Sequence, residues 1–330
     1  MKRAIVTGAT GMIGMALTKE LLKSGYEVAC LVRPDSGRVA RFETEIESFR
    51  RQENLQEKLH IVPLGLSELG KDDAVYTINV AFGEAEAADV FFHLGWEGTF
   101  GGARNDEELQ KKNVANTLDA VWLAYKAGAS TFVGAGSQAE YGRVADGVKL
   151  SAYIPTHPEN EYGRGKLRAG IDSRAICKSL GMRHVWVRIL SVYGPGDGVN
   201  TMVMSGIISL LKGERPVYTK GEQLWDYLYA GDAARALVAM AERGVDGRIY
   251  PLGSGSVRPL REYIEVIRDT VNPLAEVGIG EREYNEGQVM YLCADIDELT
   301  KDTGFVPATS FEEGIKITID WTRGQLYEKD

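Results

Sequence analysis

Tyr162 and Lys166 stand four residues apart in the run Tyr-Gly-Arg-Gly-Lys. On a helix that spacing puts both side chains on one face, about 40° apart and one turn from each other. An ammonium group so placed favours the phenolate, so the pair can pass a proton to or from a sugar or alcohol oxygen near neutral pH. An ordinary surface contact has the same i, i+4 spacing, so the pair needs context. Ser137 supplies it. It follows the apolar segment 131–135 and Gly136, which places it just past a strand's C-terminal end, where open α/β sheets build active sites.

A second group of residues has the chemistry of a phosphate cradle. Residues 7–14 read Thr-Gly-Ala-Thr-Gly-Met-Ile-Gly, between a strand at 3–7 and a helix at 12–24. Small residues there let backbone N–H groups approach a pyrophosphate, and the helix N-terminus adds favourable charge. The spacing is G-x-x-G-x-x-G, not the commoner G-x-G-x-x-G. A tight turn with no ligand is the plain alternative. The end of the next strand, 26–32, bears on the choice. A carboxylate there binds the ribose 2′-hydroxyl of NAD, whereas arginine suits the 2′-phosphate of NADP. The residue here is Arg33, with Arg38 five positions on. NADP(H) is therefore favoured, with NAD(H) possible.

The elements that must hold these residues alternate. Strands are expected at 3–7, 26–32, 59–64, 89–94, 131–135 and 184–190, and helices at 12–24, 38–58, 106–127 and 160–180. That alternation predicts an α/β fold, a Rossmann-type doubly wound parallel sheet, over residues 1–190. Beyond 190 the regularity weakens, with turn-rich runs at 194–198, 212–214 and 220–223. Residues 191–330 are expected to form a smaller mixed substrate lobe, with segments near 225–252 returning to the first domain.

The chain has 330 residues, 38 of them glycine, well above the ~7% usual for globular chains. So many glycines imply many sharp turns or close backbone approaches. A net charge of −9 argues against nucleic acid or an anionic membrane surface as partner. Cys30, Cys177 and Cys293 lie far apart, which makes a disulfide framework improbable and a reducing, cytoplasmic setting the default. His60, His93, His157 and His184 are equally scattered, so no metal site is expected. No run of ~20 apolar residues exists to span a bilayer.

In this order the motifs resemble the extended short-chain dehydrogenase/reductase family, the NAD(P)-dependent nucleotide-sugar epimerases, dehydratases and reductases. The resemblance covers nearly the whole chain. It rests on Thr7–Gly14, the Asn113 helix, Ser137 followed by Tyr141-Gly142, Tyr162 and Lys166, R-x-x-x-V-Y-G-P-G at 188–196, and W-D-Y-L-Y-x-x-D at 225–232. It implies that Tyr162 is the general acid/base, that Lys166 binds the nicotinamide ribose and tunes Tyr162, and that Ser137 polarises the substrate oxygen. It further implies that Thr7, Gly8, Gly11, Met12, Ile13 and Gly14 cradle the pyrophosphate. Leu94 and Gly95 would line the cofactor, Asn113 would hold the active-site backbone or a water, and Trp96 would form pocket wall. Gln138, Ser191 and Trp225 join Trp96 as expected substrate contacts. A homodimer through the helices at 106–127 and 160–180 is also implied.

Three departures narrow the function. Dehydratases of this family follow the catalytic hydroxyl with an Asp-Glu pair, and Gln138-Ala139 stands here. The acidic residue after the second strand is replaced by Val32-Arg33. An Asn and two Arg that commonly hold a nucleotide diphosphate align with Ser191, Trp225 and Asn285, leaving Lys212, Arg215 and Lys220 as nearby basic candidates. The expectation is an NADPH-dependent reductase of a nucleotide-linked 4-keto sugar. A 4-epimerase is the enzymatic alternative, and a non-catalytic NADP sensor or scaffold the alternative of another class.

Overall fold

Short apolar segments, buried along most of their length, set the frame. The computed structural model describes residues 1–83 and 87–327. In its first half β1 (Lys2–Thr7), α1 (Met12–Lys23), β2 (Tyr26–Val32), α2 (Val39–Gln52), β3 (Leu59–Pro63), α3 (Ala74–Phe82), β4 (Val90–His93), α4 (Glu107–Lys126), β5 (Thr131–Ser137), α5 (Glu161–Ser179) and β6 (Arg183–Ile189) alternate. After β6 come β7 (Ser191–Tyr193), α6 (Met202–Leu211), β8 (Val217–Tyr218), β9 (Leu224–Trp225), β10 (Tyr227–Tyr229), α7 (Ala230–Arg243) and β11 (Arg248–Leu252). The chain ends with β12 (Arg258–Pro259), α8 (Leu260–Val271), β13 (Gly278–Ile279), β14 (Tyr291–Leu292), α9 (Asp297–Thr303) and α10 (Phe311–Tyr327).

Seven strands form one parallel sheet in the order β11-β6-β5-β4-β1-β2-β3. Alternate residues of each strand feed opposite cores, as the pleat requires. Ala4, Val6, Val28, Cys30 and Phe92 pack with α1, α2 and α7 on one face, whereas Ile5, Ala29, Leu31, Phe91 and Phe132 pack with α3 and α4 on the other. The order reverses between β1 and β4, which opens a crevice at the C-terminal ends of the strands. Thr7, Val32, His93, Ser137 and Ile189 are the last residues of their strands and line up along that edge.

Besides one-residue shifts, two boundaries and one whole element differ from the sequence expectation. The charged helix expected at 38–58 stops at Gln52, because Asn54 adopts φ +52° and Leu55 N–H turns back to the Arg50 carbonyl. Its tail must then run extended to enter β3. The strand expected at 131–135 continues to Ser137, so the serine is the strand's last residue. α3 was not expected: its β-branched run Val-Tyr-Thr-Ile-Asn-Val reads as strand, yet the parallel crossover from β3 to β4 demands a helix.

The C-terminal segments divide between the lobes. α7 packs on α1, and β11 extends the sheet beside β6, so this stretch belongs to the first half. The smaller lobe is held by rings: Tyr193, Tyr227, Tyr263 and Phe311 meet at centroid distances between 4.6 and 5.9 Å. Its strands β8, β9, β12, β13 and β14 have two residues each, so loops must be tied by other means. Buried Asp226 does this, accepting from Ser254 N (2.6 Å), Ser254 Oγ (2.7 Å), Gly255 N (3.1 Å) and Ala294 N (3.0 Å). Among the described residues no helix is long and apolar enough to cross a membrane, and no cluster of metal-ligating side chains occurs. All three cysteines are free and buried.

Candidate active site

The glycine turn between β1 and α1 shows why each glycine is there. Gly8 has φ +72°, and a Cβ on it would sit 2.8 Å from Gly95 N, so the turn presses against the end of β4. A Cβ on Gly14 would strike the Gly8 carbonyl oxygen. Gly11 is different: the nearest atom to its Cβ position is Gly8 O at 3.4 Å, an ordinary contact. It opens onto the cleft. No side chain caps α1 and no acid occupies its first turn, so its leading N–H groups and dipole are left for an anion.

The cleft is continuous. A cavity of about 590 Å³ runs from Gly8, Gly11, Met12 and Ile13 across to Phe100 and the 196–200 loop. At one end it joins a cavity of about 450 Å³ lined by Arg33, Ser36, Arg38, Leu94 and Gly95. At the other it joins one of about 460 Å³ holding Ser137, Tyr162 and Lys166. Arg33 is an exposed arm paired with Asp35 at 2.8 Å. Arg41, which the sequence reading did not single out, faces the same space with Arg38. Its signal was spacing: it lies three residues after Arg38, on the first turn of α2.

Thr7 and Asn113 serve the cleft from beneath. Gly95 N–H donates to Thr7 Oγ1 (3.2 Å), which lies 3.0 Å from His93 Nδ1; His93 Nε2 lies 3.2 Å from Thr117 Oγ1, which donates to Asn113 O (2.9 Å). With Thr117 donating onward, His93 donates through Nε2, and a ring kept neutral by burial then accepts from Thr7 at Nδ1. Burial pulls its pKa down to about 3, helped by the charge of Lys166. Asn113 spends its amide on Glu97, accepting from Glu97 N (3.0 Å) and donating to Glu97 O (2.9 Å). It therefore holds the loop after β4 and lies outside the lining of the cleft.

At the opposite end of the cleft, Tyr162 and Lys166 lie on the first turns of α5. Asn160 caps that helix by accepting from Gly163 N at 2.8 Å. Gly163 is required there, because a Cβ would strike the Ala139 carbonyl. Burial pushes the Tyr162 phenol up, while a hydrogen bond from Ser137 and the charge of Arg104 pull it back. Burial holds the Lys166 ammonium down to about 7, against the charge of Glu140. Lys166 Nζ donates to the Ala135 carbonyl at 2.6 Å and lies over the Trp96 ring at 3.9 Å. It is 6.0 Å from the Tyr162 ring centroid, whereas Arg104 is 4.5 Å from it.

Beneath Ser137 lies a buried ion pair that the sequence did not reveal. Glu140 and Arg188 meet at 2.7 Å, only 1% and 3% exposed. Glu140 also accepts from Ser137 N (2.9 Å) and from Trp186 Nε1 (3.0 Å). Gly134 and Gly136 give Trp186 its space, since a Cβ on either would overlap the indole. Their role is packing under the site.

On the substrate side, Trp225 Nε1 donates to Ser191 Oγ at 2.8 Å, and both line the cavity with Gln138, Trp96, Asp197 and Tyr227. Lys212, Arg215, Lys220 and Asn285 do not line the cleft cavities. Arg215 pairs with Glu281 instead.

This geometry has counterparts among known proteins. A family model described as "NAD dependent epimerase/dehydratase family" matches residues 4–253. The chain belongs to that family. Among relatives, dTDP-glucose 4,6-dehydratase of Shigella flexneri is 28% identical over 53% of this chain, and the match spans only about half (49%) of that enzyme's length. UDP-N-acetyl-alpha-D-glucosaminuronate decarboxylase of Bacillus cytotoxicus is 27% identical over 98% of each chain. Two solved structures share the epimerase/dehydratase fold at lower identity. UDP-glucose 4-epimerase from Thermotoga maritima, with UDP-glucose, has a TM-score of 0.79, 21% identity and 98% and 99% coverage. RMD from Pseudomonas aeruginosa, complexed with NADPH, has a TM-score of 0.76, 20% identity and 98% and 100% coverage.

Proposed function

We propose that this family member is an NADP(H)-dependent reductase of a nucleotide-linked 4-keto sugar. The observation that carries the reading is one cleft with two distinct ends. Arg33, Ser36 and Arg38 stand at one end, and Ser137, Tyr162 and Lys166 at the other.

The residues fit a nicotinamide dinucleotide. Gly11 opens on the cleft, α1 begins uncapped, Arg33 and Arg38 stand at the end where a 2′-phosphate would lie, and Arg41 faces the middle of the cleft near Gly196. When bound, the reduced cofactor supplies a hydride to the carbonyl carbon. Tyr162 gives its proton to the carbonyl oxygen, and Ser137 donates a hydrogen bond to the same atom as charge develops. Lys166 would trade its Ala135 and Trp96 contacts for the ribose hydroxyls. Trp96 and Trp225 supply flat faces for a sugar ring. Dehydration needs a further acid/base pair at the sugar, and the cavity offers one carboxylate, Asp197, whose oxygens already accept from Gly198 N (2.7 Å) and Thr201 Oγ1 (2.9 Å). A homodimer through the outer faces of α4 and α5, where Trp122, Tyr125 and Ile171 are exposed, is part of the same proposal.

A ligand screen by thermal stabilisation tests the substrate class, since binding to the native state raises the apparent midpoint. With NADPH present, nucleotide-linked keto sugars are expected to raise it further. A rise with free sugars and none with nucleotide-linked ones would overturn the nucleotide assignment.

A further inference from the structure

Tyr162 is expected to work with the lysine one turn along its own helix, yet the nearer positive charge comes from elsewhere. Arg104 belongs to the loop between β4 and α4. Its guanidinium carbon lies 4.5 Å from the Tyr162 ring centroid, against 6.0 Å for Lys166 Nζ. Lys166 is occupied by the Ala135 carbonyl and the Trp96 face. Arg104 forms no ion pair with any described carboxylate, and a terminal nitrogen donates a long hydrogen bond to Thr99 O at 3.4 Å. It lines the same cavity as Ser137 and Tyr162.

The loop is built to hold that guanidinium in place. Buried Gln110 of α4 donates to Ala103 O (2.9 Å) and Gly98 O (3.2 Å) and accepts from Trp96 Nε1 (2.8 Å). Asp106 N–H returns to Ala103 O. Gly98, at φ +68°, packs against the Leu109 and Gln110 side chains. Arg104 therefore follows a residue latched from two sides, and its planar group lies against the phenol.

We propose that Arg104 is a positioning residue which keeps a permanent positive charge on the face of the Tyr162 ring and eases loss of the phenolic proton. The other charges facing Tyr162 are Lys166 on α5 and Glu140 beneath Ser137, the latter paired with Arg188. A guanidinium stays charged at every working pH. Lys166 is held down to about 7 and does not. Arg104 thus supplies the field that the lysine supplies only in part. A cation over an aromatic face favours the ionised ring further, because the phenolate carries negative charge that the neutral ring lacks.

The inference rests on Tyr162 being the acid/base group, and its test needs neither substrate nor cofactor. Tetranitromethane nitrates the phenolate form of tyrosine, so the rate at Tyr162 at pH 8, followed by peptide mapping of the intact folded chain, reports its ionisation. Arg104→Gln is expected to slow nitration of Tyr162 by about two- to fivefold, and Arg104→Lys to keep the rate near that of the native chain. Loss of the arginine also opens the pocket, which alone would speed nitration, so a fall cannot come from access. Equal or faster nitration in Arg104→Gln overturns the proposal, and so does an equal fall in Arg104→Lys. Arg104→Met serves as the neutral variant if the glutamine chain does not fold. Failure here leaves the reductase reading standing, because a merely structural Arg104 changes nothing in the hydride and proton route.

Discussion

The two lobes are held together by different physics. The N-terminal half, the proposed cofactor half, is one seven-stranded sheet with two apolar cores, and its regularity follows from repetition: each strand feeds both faces, and each helix covers one. The C-terminal lobe, the proposed substrate lobe, has two-residue strands, a ring cluster around Phe311, and a buried carboxylate, Asp226, tying distant loops. One half gains stability from apolar area spread over both faces of a sheet, the other from one ring-rich apolar cluster among α6, α8 and α10 together with a few specific polar ties.

The largest expected effect breaks the symmetry of this picture, because the cofactor half has a polar tie of its own. Glu140→Gln leaves the Arg188 guanidinium buried without its carboxylate and should destabilise the protein by about 3–5 kcal/mol in urea unfolding. Asp226→Asn in the other lobe leaves backbone N–H groups without an acceptor and should cost about 2–3 kcal/mol. Were Asp226→Asn the costlier of the two, Glu140–Arg188 would not anchor the catalytic edge as described.

Acid separates the halves next. His93 and His184 are buried in the sheet, with desolvation holding them near 3 and 4. Unfolded chains bind their protons below about 6.5, so stability is complete above that value and falls as pH drops toward the folded values. Between pH 7.5 and 5.5 the loss should be about 3 kcal/mol for the two histidines together. In the substrate lobe, burial raises the carboxyls of Asp197 and Asp226. Their contribution is present at low pH and fades as pH rises through their folded values, so it opposes the histidines on acidification. Hydrogen exchange at the two pH values should show amides of β4 and β6 opening before those of α6 and α8. Equal opening would contradict the division.

Glycine substitutions sharpen the account within the cofactor turn. Gly14→Ala drives a Cβ into the Gly8 carbonyl and should destabilise by about 1–3 kcal/mol. Gly11→Ala meets only an ordinary contact, so it should leave the thermal midpoint nearly unchanged and weaken dinucleotide binding. The smallest effect concerns cofactor choice. Arg33 is 61% exposed, so Arg33→Ala should weaken NADPH by only about tenfold and leave NADH nearly unchanged. Equal losses for both would remove the 2′-phosphate assignment.

The sequence showed the regular half well, and the reasons are local. Strand periods and the glycine turn at 7–14 are written in consecutive residues, and the Tyr162–Lys166 spacing lies within a single helix. What was hidden is non-local. Nothing in the sequence marks Glu140 as the partner of Arg188, 48 residues on. Nor does anything mark Gly134 and Gly136 as the space for Trp186, or Arg104 as the cation over Tyr162. The helix α3 was missed because its β-branched residues follow one rule locally and the crossover imposes another. Asn113 was read with two roles open, backbone or water, and its bonds to Glu97 assign the backbone. In the substrate lobe the short strands have no period at all, so only the aromatic and acidic residues at 225–232 could be noticed, without their contacts.

The central claim is net reduction at Tyr162, and cofactor stoichiometry tests it most directly. With a nucleotide-linked 4-keto-6-deoxy sugar and NADPH, the account predicts one NADPH oxidised per sugar reduced, followed by absorbance and product analysis. In Tyr162→Phe, turnover should fall by about 10²–10⁴. Interconversion of two sugars with no net NADPH loss would contradict the reductase account and point to an epimerase.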